Sequence, residues 1–208
     1  MKYYIYISDA KVDMLYGQIP SKLRERIVAE LKLDLKVVSV SLRERPNDEA
    51  LYAKLNVVVD FLDKGGVGDV AAPESFFRGS MMMKWGLWRY VSPAEPRTVY
   101  FTGAEDDVIV GLGGSAKHLI GNAPSPTDFG LSASVTPPLL LGLARESQQT
   151  WDREDSWDDS WVGDVQHIWR RHTGVPERLE FLARRLLSVD TSQARVLLGT
   201  PIYVAYND

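Results

Sequence analysis

The strongest structural signal in the chain is RTVYFTGAEDDVIVGLGGSAKHLIGN, residues 97–122. Two runs of alternating apolar residues, one around Val99 and Phe101 and the other around Val108 and Val110, flank the polar segment 104–107. Alternation with a period of two on both sides of turn-forming residues is typical of a β-hairpin. We therefore expect two paired strands here, in the middle of a sheet.

The second half of this stretch is rich in glycine and predicts a loop with binding chemistry. Gly113 and Gly114 permit positive φ or a close backbone approach, and their N–H groups could form an anion-binding nest. A short helical turn over residues 115–119 would add its dipole, Ser115 a hydroxyl donor and His118 a proton carrier near neutral pH. The run matches neither GxxxxGK[ST] nor GxGxxG. The alternative is that the glycines only turn the chain and His118 is structural.

Composition limits the class of protein. The chain has 208 residues, no cysteine and a formal net charge of −4. Disulfides and thiolate chemistry are therefore excluded, and a reducing compartment is expected. The negative charge argues against nucleic acid as a partner, because phosphate binding usually requires a basic domain. No apolar run reaches the roughly 20 residues of a membrane span, and no signal peptide is recognisable, so we expect a cytoplasmic protein without a membrane partner.

The first third of the sequence predicts alternating strands and helices. A strand over residues 3–7 is followed by Asp9, Lys11 and Asp13, at a strand end where α/β proteins often carry functional groups. A helix cap and a surface ion pair are the alternative explanation for these residues. Helices are expected from Ser21 and over residues 46–64, with a strand over 35–42 between them. This order predicts a βαβ-like unit.

The middle of the chain predicts a three-strand meander. Residues 77–88 form a long strand with Gly79 and Gly86 as bulges or close-approach points, and it leads into the hairpin. Arg78, Lys84 and Trp85 could line a cleft, with two cations and an aromatic surface. The alternative is that the aromatic and methionine stripe is core and the charges lie at its rim.

The last part of the sequence is more varied. Residues 122–138 predict a long loop and 139–146 a short helix, and the tryptophan-rich acidic segment 150–161 lacks the EF-hand spacing, so no metal site is expected. Pro176 should begin a helix with Leu179, Leu182 and Leu186 on its buried side. Residues 195–206 predict a final strand, in which Pro201 marks an edge or a bulge.

Six segments carry a resemblance to a known family. They are YYIYISDAKVDMLYGQIP (3–20), LYAKLNVVVDFL (51–62), FFRGSMMMKWG (76–86), VGLGGSAKHLIG (110–121), RLEFLARRLL (178–187) and VLLGTPIYVA (196–205). Over nearly its whole length the chain resembles an uncharacterised family of actinobacterial proteins, mainly from Streptomyces-type genomes. The resemblance implies a bacterial cytoplasmic origin and a single domain, and it supplies no activity and no catalytic residue.

We expect a single α+β domain spanning residues 1–208. Its central sheet should be mixed and mostly antiparallel, with the βαβ-like unit, the meander, packed helices and a C-terminal strand. The favoured function is a sensory or regulatory protein that binds a small anionic or nucleotide-like ligand, with a protein partner or a homo-oligomer as further options. The expected ligand-binding residues are Gly113, Gly114, Ser115, His118, Arg78, Lys84, Trp85, Lys11 and Tyr100.

Two other functions compete with ligand binding. One is a hydrolase or transferase with His118 as general acid/base and Ser115 or Asp9 nearby. The other is an interaction scaffold that uses the tryptophan-rich segment 150–169, because exposed aromatic side chains often dominate binding energy. No cofactor is indicated by the sequence.

Overall fold

The computed structural model describes residues 2–35, 46–88, 98–121, 175–190 and 194–207. The chain divides into two compact units, one of Met1–Ile7 with Gly68–Asp208 and the other of Ser8–Val67. We call them the barrel unit and the helical unit. The elements in chain order are β1 (Tyr3–Ile7), α1 (Asp9–Gln18), α2 (Ser21–Leu35), α3 (Pro46–Gly65), β2 (Gly68–Asp69), β3 (Phe76–Trp88), β4 (Thr98–Glu105), β5 (Val108–Ser115), a 3₁₀ turn (Ala116–His118), β6 (Glu177–Asp190) and β7 (Arg195–Tyr206).

Five strands of the barrel unit close into a barrel. Strand β3 pairs with β4, β4 with β5, β5 with β7, β7 with β6, and β6 again with β3. The β5–β7 pair is parallel and the other four are antiparallel. Strand β1 adds antiparallel to the end of β7, and β2 adds parallel to β3. The α+β class and the mixed, mostly antiparallel sheet are thus confirmed.

Alternate residues of the five strands fill the barrel interior, as the period of two requires. Phe181 of β6 packs edge-to-face on Phe77 of β3, with ring centroids 5.7 Å apart. Tyr6 of β1 packs in the same way on Phe101 of β4, at 5.8 Å. The core also contains Ile5, Met81, Met83, Val99, Val110, Leu112, Leu179, Ala183, Leu197 and Val204.

The hairpin expected within residues 97–122 forms as predicted. Thr98–Glu105 and Val108–Ser115 pair without a register shift, and Asp106 turns the chain with a φ of 52°. Aspartate tolerates this left-handed conformation better than most residues. The 3₁₀ turn matches the short helical turn expected after Ser115.

The expected glycine loop is wrong, because strand β5 continues through Ser115. Gly113 pairs with Tyr100 and Gly114 with Val99, and neither glycine has a positive φ. Gly114 is needed for packing instead, since a Cβ at this position would overlap the phenol of Tyr6. A nest of free N–H groups therefore does not form here.

The expected C-terminal helix is also wrong. Residues Glu177–Asp190 are strand β6, which pairs with β3 on one side and β7 on the other. Leucine and arginine are good helix formers, but helix propensity amounts to less than about 1 kcal/mol per residue, and backbone pairing along both edges outweighs it. The terminal strand is confirmed, and Pro201 lies at a register irregularity between β6 and β7, so the bulge expectation holds and the edge expectation does not.

The helical unit contains the predicted helices from Ser21 and over residues 46–64. Buried residues of α1 and α3 include Val12, Leu15, Leu55 and Val58. On the exposed side, Lys54 pairs with Asp13 at 2.6 Å. No helix among the residues described is long and apolar enough to cross a membrane.

Several expectations lie outside the described residues. They concern nearly all of the strand at 35–42, the loop at 122–138, the helix at 139–146 and the tryptophan-rich segment. The expectation of a single domain stays a prediction.

Candidate functional site

A cluster of charged and tyrosine side chains lies on the outer face of strands β1, β7, β6 and β3. We call it the Glu180 cluster and define it by Lys2, Tyr4, Arg78, Glu180 and Tyr203. The strand pairing explains why these side chains meet. Tyr4 of β1 lies opposite Ala205 of β7, Ala205 lies opposite Glu180 of β6, and Glu180 lies opposite Ser80 of β3. Tyr203 and Arg78 both lie opposite Leu182 in the adjacent row. Residues from both ends of the sequence and from its middle thus meet on one sheet face.

Hydrogen bonds hold the centre of the cluster. The Tyr203 hydroxyl donates to Glu180 Oε1 at 2.6 Å, and Lys2 Nζ donates to the same oxygen at 2.5 Å. Lys2 Nζ also lies 3.2 Å from the Tyr203 hydroxyl and 5.1 Å from the centre of its ring. The ring of Tyr4 meets the Tyr203 ring edge-on at 5.5 Å. These contacts fix Glu180 and Tyr203 in one orientation.

Electrostatics set the protonation states of this pair. Partial burial favours a higher pKa for Glu180, but hydrogen bonds from Lys2 and Tyr203 and the charges of Lys2 and Arg78 outweigh it, and the pKa is lowered. Burial raises the pKa of Tyr203, and the hydrogen bond to Glu180 and its negative charge raise it further. At neutral pH the cluster therefore contains an ionised carboxylate and a protonated phenol.

The lowered pKa of Glu180 predicts a specific acid sensitivity. Since the folded-state pKa lies below the ordinary value of 4.5, ionised Glu180 stabilises the protein above about pH 4.5. This contribution is lost as the pH falls through the folded-state pKa. We expect Glu180→Gln to flatten the fall in free energy of unfolding between pH 5 and 3, as measured by urea denaturation.

The matched control for this experiment is Glu74→Gln, since Glu74 is an exposed carboxylate in the same unit. It should leave the pH dependence unchanged. Equal slopes for wild type and Glu180→Gln would contradict the assignment.

A second carboxylate contact lies on the opposite face of the same strands. Trp85 Nε1 and the Tyr206 hydroxyl each donate to Glu177 Oε2 at 3.1 Å. Trp85 also stacks on Phe101, with ring centroids 6.0 Å apart. Alternation along β3 places Trp85 on the face opposite Arg78 and Lys84. The structure therefore does not bring these three residues together as one cleft lining.

Ser115 and His118 belong to the 3₁₀ turn that follows β5. The Ser115 hydroxyl accepts a hydrogen bond from the Lys117 amide at 3.4 Å and so caps the turn. His118 is 8% exposed, and its ring lies edge-on to Tyr6 at 5.8 Å. Leu119 forms an isolated antiparallel β-bridge with Tyr6, and this backbone contact holds the turn against strand β1. The role of His118 as a general acid/base stays a prediction.

Tyr100 is a buried residue on the outer face of strand β4. It is 2% exposed, and its hydroxyl lies where a side chain at Gly111 would be. Burial raises the pKa of Tyr100, and the nearby Thr102 hydroxyl acts in the opposite direction. Tyr100 lies on the same sheet face as Gly113, its partner on β5. Lys84 is on this face too, because its partner on β4 is Thr102, two residues from Tyr100. Its burial leaves no open ring surface for stacking.

Lys11 and Asp9 belong to helix α1 of the helical unit. Lys11 Nζ donates to the Ser8 hydroxyl at 3.3 Å, and Asp9 Oδ1 accepts from the Ala10 amide at 2.5 Å. Burial lowers the pKa of Lys11 to about 8, with the charge of Asp9 acting in the opposite direction. Of the predicted binding residues, Arg78 joins the Glu180 cluster.

Four members of the cluster were not among the predicted site residues: Lys2, Tyr4, Glu180 and Tyr203. Lys2 and Tyr4 have the spacing of two that places them on one face of a strand. Residues 177–190 were expected to form a helix, although the alternation of Leu179, Glu180 and Phe181 favours a strand. This period of two, in place of the helical period of 3.6, is the signal that puts Glu180 on the outer face of the sheet.

The fold and the site define an α+β protein with a closed five-stranded barrel and a charged cluster on its outer face. Within the described residues, no group of three or more histidine, aspartate or glutamate side chains is arranged to hold a metal ion. The chain matches the family of unknown function DUF7019 over residues 2–208 and belongs to that family. Comparison with curated proteins and with solved structures found no match.

Proposed function

We propose that this is a bacterial cytoplasmic protein that binds a small anionic or nucleotide-like ligand at the Glu180 cluster, in a sensory or regulatory role. The observation that carries the proposal is the placement of two cations, Lys2 and Arg78, on either side of a fixed carboxylate and phenol. The Lys2 side chain is 45% exposed and the Glu180 side chain 23%, so a ligand can reach a partly desolvated site. In such a site, charge pairs are stronger than at a fully exposed surface.

The net charge of the cluster restricts the charge of the ligand that it can bind. Glu180 neutralises one of the two cations, which leaves one net positive charge among Lys2, Arg78 and Glu180. One net positive charge suits a carboxylate or a phosphate monoester better than a polyphosphate, because additional negative charges would face Glu180 without a partner.

Polar and aromatic groups surround this charge. Asn207 Nδ2 donates to the Ser80 hydroxyl at 2.9 Å, and both residues are exposed at the rim. The half-buried ring of Tyr4 offers a surface for a planar group. An anion joined to a planar ring, as in a nucleoside monophosphate, fits this combination.

Thermal denaturation with defined probes tests the proposal. We expect inorganic phosphate, acetate or adenosine monophosphate to raise the melting temperature, by roughly 5–10 °C at a hundredfold excess over Kd. Lys2→Gln and Arg78→Gln should each remove the shift. Glu180→Gln should enlarge it, because the competing negative charge is gone.

The control variant is Arg184→Gln, which removes an exposed cation from the same strand as Glu180. It should bind like wild type. A shift that survives both Lys2→Gln and Arg78→Gln, or the absence of a shift with all three probes, would overturn the proposal. Native mass spectrometry of the purified protein would show a co-purified ligand and the subunit number together.

A further inference from the structure

A carboxylate with aromatic neighbours lies at the end of the barrel where β6 begins and β7 ends. Glu177 is the first residue of β6, Tyr206 is the last of β7, and Trp85 lies near the end of β3. Tyr3 of β1 is the strand partner of Tyr206, and their ring centroids are 5.8 Å apart. We call these four residues the Glu177 site. Trp85 and Tyr206 also pack against the core, so the site continues the interior face of the strands, opposite the Glu180 cluster.

The protein uses one of the two carboxylate oxygens of Glu177. Trp85 Nε1 and the Tyr206 hydroxyl both donate to Oε2 at 3.1 Å, whereas Oε1 accepts no hydrogen bond from the residues that the structure describes. Burial, and then the hydrogen bond to Glu177 and its charge, raise the pKa of Tyr206, so its hydroxyl remains a donor. A carboxylate has acceptor positions on both oxygens. The two donors therefore orient Glu177 and leave Oε1 available to a ligand.

The charge of Glu177 has no counter-ion within the described part of the chain. The ion pairs formed there do not include Glu177. The two cations next to the site in sequence are paired elsewhere, Lys2 with Glu180 at 2.5 Å and Arg178 with Glu105 at 3.6 Å. Because Glu177 is half-buried, its charge is only partly solvated, and a cation placed beside it is favoured.

Aromatic rings border this carboxylate. The indole of Trp85 stacks on Phe101, with ring centroids 6.0 Å apart, and is half-buried, as is Tyr206. Tyr3 is 68% exposed. The faces of tryptophan and tyrosine rings attract cations electrostatically, tryptophan most strongly. The partial exposure of the rings and of Glu177 means that a ligand can approach the site from solvent.

The kinds of group in the site select the type of cation. A metal ion requires several oxygen ligands, and among the described residues no group of three or more candidate ligands is arranged to hold one. An organic ammonium ion needs one negative charge and ring faces against its methyl groups. We propose that the Glu177 site binds the dimethylammonium group of a small organic cation. Its N–H donates to Glu177 Oε1, and its methyl groups contact the rings of Trp85, Tyr206 and Tyr3.

Isothermal titration calorimetry of the full chain at pH 7 tests this site. The probe is N,N-dimethylethanolamine, which is a cation at this pH and has one N–H. We expect one binding site per chain. The neutral isostere 3-methylbutan-1-ol should not bind measurably. Choline, in which a methyl group replaces the N–H, should bind several-fold more weakly because it cannot donate to Oε1.

Variants separate the contributions of charge and ring. Glu177→Gln removes the charge but keeps an oxygen that can accept from Trp85 and Tyr206, and it should weaken binding by about tenfold or more. Tyr3→Leu should weaken binding roughly two- to fivefold, whereas Tyr3→Phe keeps the ring face and should bind like wild type. Because Tyr3 is largely exposed, its variants are expected to fold even if Glu177→Gln does not.

Glu74→Gln is the matched control, since it removes an exposed carboxylate of the same unit. It should bind the probe like wild type. Absence of binding both by calorimetry and by NMR of the probe's methyl protons, equal affinity for 3-methylbutan-1-ol or choline, or an affinity unchanged by Glu177→Gln and Tyr3→Leu would overturn the proposal. Anion binding at the Glu180 cluster is tested with other probes and other variants, so each proposal can fail without the other.

Discussion

Replacing Phe181 with alanine is expected to lower the free energy of unfolding by about 3–5 kcal/mol. Phe181 is fully buried in the barrel interior and packs edge-to-face on Phe77. Its ring also covers Gly79, where a Cβ would lie 2.8 Å from Cζ of the phenylalanine. The truncation therefore leaves a cavity between β6 and β3, which rigid strand pairing prevents from collapsing. Urea denaturation followed by circular dichroism measures the change.

Leu187→Ala is the control for this experiment. Leu187 is on the same strand but 37% exposed, so its truncation should cost less than about 1 kcal/mol. Similar costs for the two variants would show that Phe181 does not face the barrel interior. The comparison also tests the strand assignment of residues 177–190, since a helix would place different side chains inside.

Gly114→Ala is expected to destabilise the protein by about 1–3 kcal/mol, an unusual result for the addition of one methyl group. A Cβ at this position would overlap the hydroxyl of Tyr6 and lie 2.9 Å from its Cζ. Tyr6 is fully buried and packs on Phe101 and His118, so it has little room to move. The strand must therefore shift or the tyrosine ring must leave its position.

A double-mutant cycle isolates the contact between these two residues. Adding Tyr6→Phe to Gly114→Ala removes the nearest clashing atom and should recover part of the lost stability, with a coupling energy of about 0.5–3 kcal/mol. Gly17→Ala is the control, because open space surrounds that position inside helix α1 and alanine should stabilise by about 0.5–1 kcal/mol there. Strictly additive effects of the two substitutions would contradict the close approach.

Local elements with a strong residue pattern could be predicted from the sequence. The hairpin of β4 and β5, strands β1, β3 and β7, and helix α3 follow from alternation or from a spacing of three to four residues, because such patterns record which side of an element is buried. Arg78, which the sequence predicts to bind ligand, lies in the Glu180 cluster, and its role in binding stays a prediction. The local elements depend on neighbours within a few residues.

The closure of the barrel, the conformation of β6 and the composition of the Glu180 cluster depend on contacts between residues far apart in the chain. Residues 177–190 contain good helix formers, but pairing with β3 and β7 makes them a strand, which local propensity cannot reveal. The glycines of β5 signalled a loop, yet Gly114 is required by the ring of Tyr6, more than a hundred residues earlier in the chain. Lys2 and Glu180 are likewise 178 residues apart. Contacts at such separations are set by strand order and register, and these are properties of the whole sheet.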